Sequence, residues 1–339
     1  MTVVTSPRSA PALRKNLRVR AFAKINTGLK IVGKRPDGYH EIRTIYQTIA
    51  LHDGLEISLT KAGKGIEVEC TNPAVPAGPG NLVYRACELW AGARRWKGGV
   101  RVHLEKVIPM GSGLGGASTD AAATLLGLER LTGDRLDFAA RHKLAAALGS
   151  DVPLFLLGGR VLGCGRGEEV YPLRDLPPCA CLVIFPGFSV STAEAYREAG
   201  AAVAAVSDRR RRSEIDATVP AVGDRRYNAG LRLTQKGSTA YIGSFGAWPH
   251  LPLMSWGPAE NDFEKVVFAR WPKLASLKRQ LIRAGAEVAS LTGSGSAIFA
   301  LFSSVRQMAL ASKLIPNGWL SFQTRTLAQP SYHRKLFLD

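Results

Sequence analysis

Residues 111–116 read Gly-Ser-Gly-Leu-Gly-Gly, four glycines in six positions, and run straight into Ala117-Ser118-Thr119-Asp120-Ala121-Ala122-Ala123. Glycine weakens helix and strand interiors, but it lets backbone come close to a neighbour and supports positive φ. The alanine-rich segment that follows favours helix. Backbone N–H groups converging on a helix N-terminus attract an anion, most often phosphate. The chain is therefore expected to hold a nucleotide phosphate on main-chain amides, with Pro109, Met110, Gly111, Ser112, Gly113, Leu114, Gly115, Gly116, Ala117, Ser118 and Thr119 as the binding segment.

Two familiar glycine motifs do not fit. Gly111, Gly113 and Gly116 satisfy the spacing G-x-G-x-x-G. A dinucleotide fold, however, needs a strand soon after the helix, with an acidic residue about 20 positions on. Here Thr132-Gly133-Asp134 leads into a second helical segment. A P-loop would carry Lys and then Ser or Thr after its last glycine; Ala117-Ser118 stands there instead. A plain tight turn packing a helix on a sheet would not call for so many glycines beside three polar residues.

The remaining pattern is that of an α+β protein. Alternating or apolar runs predict strands at 19–24, 28–32, 42–51, 55–60, 66–70, 99–106, 181–185, 288–291, 297–302 and 323–327. Helical spacing predicts helices at 82–95 (capped by Asn81), 117–131, 136–148, 262–269, 273–284 and 306–314. Residues 154–157 and 159–162 read as strand or loop. Pro36-Asp37-Gly38 marks a hairpin loop, and 292–296 a second turn. Strands gather before helices in the first half rather than alternating with them, which excludes a repeating βαβ sheet. The length of 339 residues suggests two domains. The expected division is a flexible basic tail at 1–17, a unit at 18–168 that carries the glycine-rich segment and a second unit at 169–339.

Charge and cysteine narrow the class. The net charge is +18, and residues 1–36 supply half of it, with nine basic residues and no acidic one. A second cluster is Arg209-Arg210-Arg211-Arg212 with Arg225-Arg226. No aromatics interleave these arginines and no nucleic-acid motif accompanies them, so a solvated basic surface that attracts polyanionic small substrates is the expectation, not nucleic-acid binding. The tail reads as a disordered extension rather than a transit peptide. No run of 18 apolar residues suggests a membrane span. Five scattered cysteines read as reduced thiols of a cytoplasmic protein.

The stretch 109–125 resembles the P-x-G-x-G-L-G-S/G-S/A-S motif of the GHMP kinases, the galactose, homoserine, mevalonate and phosphomevalonate kinases. Ala23-Lys24-Ile25-Asn26 resembles that family's first motif, and Leu291-Thr292-Gly293-Ser294-Gly295-Ser296-Ala297 its third. Gly33-Lys34-Arg35-Pro36-Asp37-Gly38-Tyr39-His40, Gly80-Asn81-Leu82-Val83, Gly149-Ser150-Asp151-Val152-Pro153, Gly165-Arg166-Gly167-Glu168 and Asn261-Asp262-Phe263-Glu264 resemble one branch of it, whose acceptor is a polyol linked to cytidine diphosphate. The resemblance spans nearly the whole chain except the tail and about 201–250.

The resemblance implies a two-domain fold, with an N-terminal ribosomal-protein-S5-domain-2-like unit and a C-terminal ferredoxin-like unit. It implies ATP and Mg2+ as cofactors, with metal ligands unassigned. It also implies phosphorylation of an acceptor hydroxyl in isoprenoid precursor biosynthesis by the non-mevalonate route. Asp151 matches the family's catalytic aspartate and Lys24 its partner lysine; a cation there would favour the charged carboxylate and stabilise the transferring phosphoryl. Asn26, two positions beyond Lys24 on a strand, shares its face and is expected to bind the acceptor. Tyr39 and His40 match a pyrimidine-reading pair, Tyr196 a second stacking aromatic, and Thr292, Gly293 and Ser294 a turn closing on acceptor or phosphates. Asn81 matches a residue near adenine. The expected partner is the small-molecule acceptor, without membrane, and the chain is expected to be a monomer or weak homodimer. Two other readings stay open: a GHMP kinase of homoserine or mevalonate type, and a non-catalytic nucleic-acid-binding protein on the same fold.

Overall fold

The computed structural model describes residues 16–200 and 259–338. The basic tail up to residue 15 and all of 201–250, with the Arg209–Arg212 and Arg225-Arg226 clusters, lie outside these residues.

Two long strands organise the first half: β1 (Asn16–Lys34) and β2 (His40–Thr60), antiparallel and joined at the Pro36-Asp37-Gly38 turn. Asn16 and Leu17 already belong to β1, so the tail ends before the expected residue 17. The lower half of β2 pairs with β4 (Gly99–Glu105), and β4 pairs in parallel with β3 (Ile66–Cys70). The upper half of β2 pairs with β5 (Arg160–Cys164) and thence β6 (Glu169–Pro172). Against this sheet lie α1 (Leu82–Arg94) and α2 (Gly116–Thr132), with α3 (Phe138–Leu148) beside them and the short α4 (Leu154–Leu157) following. Residues 154–157 are thus helical rather than strand or loop: Gly158 N–H bonds back to Leu154 and closes a single turn. Alternating core positions Leu17, Val19, Ala21, Leu55, Ile57, Val100 and Val102 meet Trp90 of α1 and the Ala121–Leu128 face of α2. At roughly 25 cal/mol per Å² of apolar area, such burial is what holds the helices to the sheet.

The expected interruption of β1 at 25–27 is a bulged but continuous strand. Its register against β2 slips between Phe22 and Lys24, between Asn26 and Gly28, and between Ile31 and Gly33. Across the first of these, β1 advances two residues while β2 advances four, from His52 to Thr48, so the ladder is locally broken there. Leu17, Val19 and Ala21 face the helices, whereas Ala23 and Ile25 enter a separate core shared with the second sheet. Lys24 and Asn26 lie beside the glycine loop at the head of α2.

The second sheet contains β7 (Ala180–Phe185), β8 (Val288–Leu291), β9 (Ile298–Phe302) and β10 (Leu320–Arg325), in the spatial order β10-β7-β9-β8. Helices α5 (Glu264–Arg270) and α6 (Pro272–Arg283) precede β8, and α7 (Val305–Ala311) follows β9. In the order of these four strands the arrangement is 4-1-3-2 with helical crossovers, the ferredoxin-like unit expected. The chain then returns: α8 (Gln329–Leu336) packs against β1, and β11 (Phe337–Leu338) pairs with it. The first sheet therefore continues past the expected division at residue 168 through β6, and it also recruits the C-terminal residues. No helix among the described residues is long and apolar enough to cross a membrane.

Candidate active site

Among the described residues, a cavity of about 1060 Å³ lies where the two sheets approach. It is lined by Lys24, Asn26, Tyr39, His40, Gly113, Gly115, Ser118, Asp151, Tyr196, Gly293 and Ser294, all expected from sequence, together with Tyr46, Arg166, Thr192 and Phe263, which were not.

One end is built around the glycine loop. The N-cap of α2 is Gly115, with φ 75°, and no side chain caps the helix. The first N–H groups of α2 thus keep the free donor character of an uncapped helix start. Ser118 and Thr119 do not cap it. The loop is fixed from outside: Lys24 N–H bonds Leu114 O at 3.0 Å, and Ala297 N–H bonds Ser112 O at 3.1 Å. A Cβ on Gly113 would collide with the carbonyl oxygen of Thr292, so only glycine lets the two turns touch. Leu114 and Ser112 belong to the scaffold: Leu114 is buried in the core between the sheets, and the Ser112 hydroxyl donates to Pro109 O at 2.6 Å.

Beneath the loop is a buried charge cluster. Lys106 Nζ bridges Asp53 and Asp120, the latter at 2.7 Å, and Asp53 Oδ1 accepts the Val107 and Ile108 N–H groups at 2.5 and 2.8 Å. Burial opposes the charge on Lys106, but the two carboxylates outweigh it and hold its pKa above the ordinary lysine value. Burial pushes Asp120 well above the usual carboxylate range despite the neighbouring Lys106.

At the centre, Lys24 Nζ stands 3.2 Å from Asp151 Oδ2 and donates to Asn26 Oδ1 at 2.7 Å. Asn26 Nδ2 in turn donates to Thr44 Oγ1 at 2.7 Å, and Thr44 Oγ1 to Gly28 O at 2.8 Å. Thr292 Oγ1 accepts the Asn26 N–H at 3.2 Å and lies 3.2 Å from Gly113 O, tying the third motif to the first and second. Asn261 holds that turn, its Nδ2 donating to Leu291 O and Gly293 O at 2.9 Å each. Tyr46 donates its hydroxyl to Asp151 Oδ1 at 2.9 Å.

The far end is aromatic. His40 stacks on Tyr196 with centroids 5.2 Å apart and planes 18° from parallel, and Tyr196 meets the Phe263 edge at 4.7 Å. The exposed Tyr39 ring lies under the Arg166 guanidinium at 4.9 Å, and Glu168 steadies Arg166 through an Nε bond of 3.0 Å. Partial burial, with Lys34 nearby, lowers the His40 pKa below its ordinary value. At Ser294 the turn meets Thr192, hydroxyl to hydroxyl, at 3.0 Å.

Asn81 is not among the cavity residues. Its Oδ1 accepts Val83 N–H at 2.8 Å as the cap of α1, and its Nδ2 donates to Pro76 O at 2.8 Å. Both polar ends of the amide are thus engaged in structure. Pro109, Met110, Gly111, Ala117 and Gly116 flank the cavity in sequence without lining it, and Thr119 is buried in the first turn of α2 with its hydroxyl unpaired. Tyr46 and Thr44 escaped the sequence reading because their link to the site is the β1–β2 register, in which Asn26 faces Tyr46.

Fold and site together define a small-molecule kinase. Residues 81–159 match the GHMP kinases N terminal domain and residues 252–317 the GHMP kinases C terminal domain. A 4-diphosphocytidyl-2-C-methyl-D-erythritol kinase of Solibacter usitatus is 43% identical over 288 residues, 85% of this chain and 82% of that protein. Its namesake from Pelotomaculum thermopropionicum is 37% identical, over 85% of this chain and 91% of that protein. A crystal structure of 4-(cytidine 5'-diphospho)-2C-methyl-D-erythritol kinase superposes with a TM-score of 0.66 at 30% identity, covering 91% of this chain and 98% of that one. The chain belongs to the GHMP kinases, in the family of the 4-diphosphocytidyl-2-C-methyl-D-erythritol kinases.

Proposed function

We propose that this protein transfers the γ-phosphoryl group of ATP to the 2-hydroxyl of 4-diphosphocytidyl-2-C-methyl-D-erythritol, a step of non-mevalonate isoprenoid precursor synthesis. The observation that carries this reading is the Lys24–Asp151 pair beside the uncapped head of α2, in one cavity with His40, Tyr39 and Tyr196. Phosphoryl transfer rests on positioning and charge stabilisation rather than on covalent help from the protein. The amides of this loop that face the cavity, around Gly113, Gly115 and Ser118, bind the phosphates. Asp151 orients the acceptor hydroxyl and takes its proton, and Lys24 offsets negative charge as the phosphoryl group moves. Asn26 holds the Lys24 ammonium toward the reacting centre. Tyr39, His40 and Tyr196 bind the cytosine, for which neither homoserine nor mevalonate has a counterpart.

Magnesium is part of the proposal as the ion carried by the triphosphate, where it neutralises charge. It takes hard oxygen ligands and usually keeps several waters, and the Ser118 hydroxyl and Asp151 carboxylate are donors of that kind facing the cavity. We assign residues 18–168 to ATP binding, with Asn26, Tyr39, His40 and Asp151 of that unit also meeting the acceptor, and residues 169–339 to a further contribution to acceptor binding. The assay is ADP release from purified protein with ATP, Mg2+ and the cytidine-linked acceptor, run in parallel with homoserine and mevalonate. Turnover with the first acceptor alone is expected; turnover only with another alcohol would overturn the substrate assignment.

A further inference from the structure

Tyr46 lies opposite Asn26 on β2, 1% exposed, in a slot that two glycines create. A Cβ on Gly163 would come within 2.5 Å of the Tyr46 ring at Cε2, and one on Gly167 within 2.5 Å of the hydroxyl. Gly167 belongs to the Gly165-Arg166-Gly167-Glu168 stretch, to which the phosphoryl-transfer scheme gives no role. Its backbone is fixed independently, with Gly167 N–H bonded to Cys164 O at 2.9 Å and Gly165 O accepting Ile42 N–H at 2.7 Å. In this slot the phenol donates to Asp151 Oδ1 at 2.9 Å, while Lys24 Nζ stands 5.4 Å from the ring centroid.

We propose that Tyr46 is a positioning residue: its hydroxyl, locked by the Gly163 and Gly167 slot, holds one oxygen of Asp151 so that the other meets Lys24 and the acceptor hydroxyl. Asp151 is one-third exposed and sits within the turn closed by Val152 N–H and Gly149 O, so Lys24 alone would leave its carboxylate free to rotate. Two donors on two different oxygens remove that rotation. Burial, reinforced by the facing carboxylate, raises the Tyr46 pKa well above the ordinary phenol value, so the group remains a donor throughout the working range.

This inference rests on the assignment of Asp151 as the reacting carboxylate, and a double-mutant cycle separates the two. Tyr46→Phe, Asp151→Asn and the double variant are compared for kcat, for KM of both substrates and for affinity toward a non-hydrolysable ATP analogue. In the native background Tyr46→Phe is expected to lower kcat about tenfold or more, the scale of one lost hydrogen bond to a charged group. Both KM values and nucleotide affinity should change little. In the Asp151→Asn background, Tyr46→Phe should lower kcat no further. Gly163→Ala, which displaces the ring but keeps the hydroxyl, should reproduce the kcat loss with nucleotide affinity intact. Equal losses in both backgrounds, or unchanged kcat in Tyr46→Phe, would overturn the positioning role. Wild-type kcat in Asp151→Asn alone would instead overturn the assignment of Asp151.

Discussion

Lys24 on the first strand and Asp151 after the third helix meet at 3.2 Å, and their environments differ sharply: the lysine side chain is 3% exposed and the carboxylate 33%. Burial of an ammonium is costly unless neighbours compensate it. Asn26 Oδ1 and Asp151 provide that compensation, and Leu114 O fixes the backbone beside it. The carboxylate keeps an open side toward the cavity, which a reacting hydroxyl requires. Asp151→Asn should therefore reduce kcat by about a hundredfold or more and leave the affinity for an ATP analogue nearly unchanged. Parallel loss of turnover and nucleotide affinity in calorimetry would assign Asp151 to the fold instead.

Much of this site is legible in the sequence because its motifs are local. The glycines at 111–116 announce a close backbone approach, Asn81 announces a cap, and Pro36-Asp37-Gly38 a hairpin, each through chemistry confined to a few residues. Nothing local announces the slip between Phe22 and Lys24, across which β2 advances two residues more than β1. The run 19–24, 25–27 and 28–32 accordingly reads as two strands when it is one. Tyr46 was hidden for the same reason, since its role follows from long-range register. The α8 helix, whose eight residues carry His333, Arg334 and Lys335, gives no sign of its return to the first sheet, because Tyr332 and Leu336 alone anchor it in the core. Four residues at 154–157 are too few for a periodicity to distinguish helix from strand.

The Arg166–Tyr39 stack should act on the acceptor, not on ATP. Tyr39 is 56% exposed, so its removal opens no core cavity and stability should be little affected. Tyr39→Ala is expected to raise the KM for the cytidine-linked acceptor about tenfold, with the KM for ATP within about twofold, the pattern of a lost binding contact. A larger change in the KM for ATP would place Tyr39 on the wrong substrate.

His40 provides a pH test. Burial, with help from Lys34, depresses its pKa. The folded imidazole therefore holds its proton less tightly than in the unfolded chain. The stability it contributes is fully present above the unfolded value of about 6.5 and is lost as pH falls through the lower folded value. The NMR titration of the His40 ring should accordingly have its midpoint below 6.5. A midpoint above that would contradict the packing of His40 against Tyr196.

The Lys106 cluster should govern both stability and nucleotide binding. Asp53, Lys106 and Asp120 side chains are 0%, 6% and 3% exposed, and they join β2, the segment between β4 and the glycine loop, and the N-terminal part of α2. Removing Lys106 leaves two buried carboxylates without a cation, a loss of roughly 3–5 kcal/mol where such pairs are broken, whereas removing Asp120 leaves Lys106 paired with Asp53. Lys106→Met leaves Asp53 and Asp120 facing one another with no cation between them, a worse arrangement than loss of either carboxylate. Urea unfolding should therefore show a larger drop in midpoint for Lys106→Met than for Asp120→Asn. Asp53 Oδ1 holds the Val107 and Ile108 amides while Oδ2 faces Lys106, so Asp53→Asn, which sets an NH2 group against the Lys106 ammonium, should disturb that segment and weaken ATP-analogue binding even at temperatures where the variant is fully folded. Unchanged nucleotide affinity in folded Asp53→Asn would mean that the loop keeps its shape without the cluster, and that its glycines and the Thr292 contact suffice.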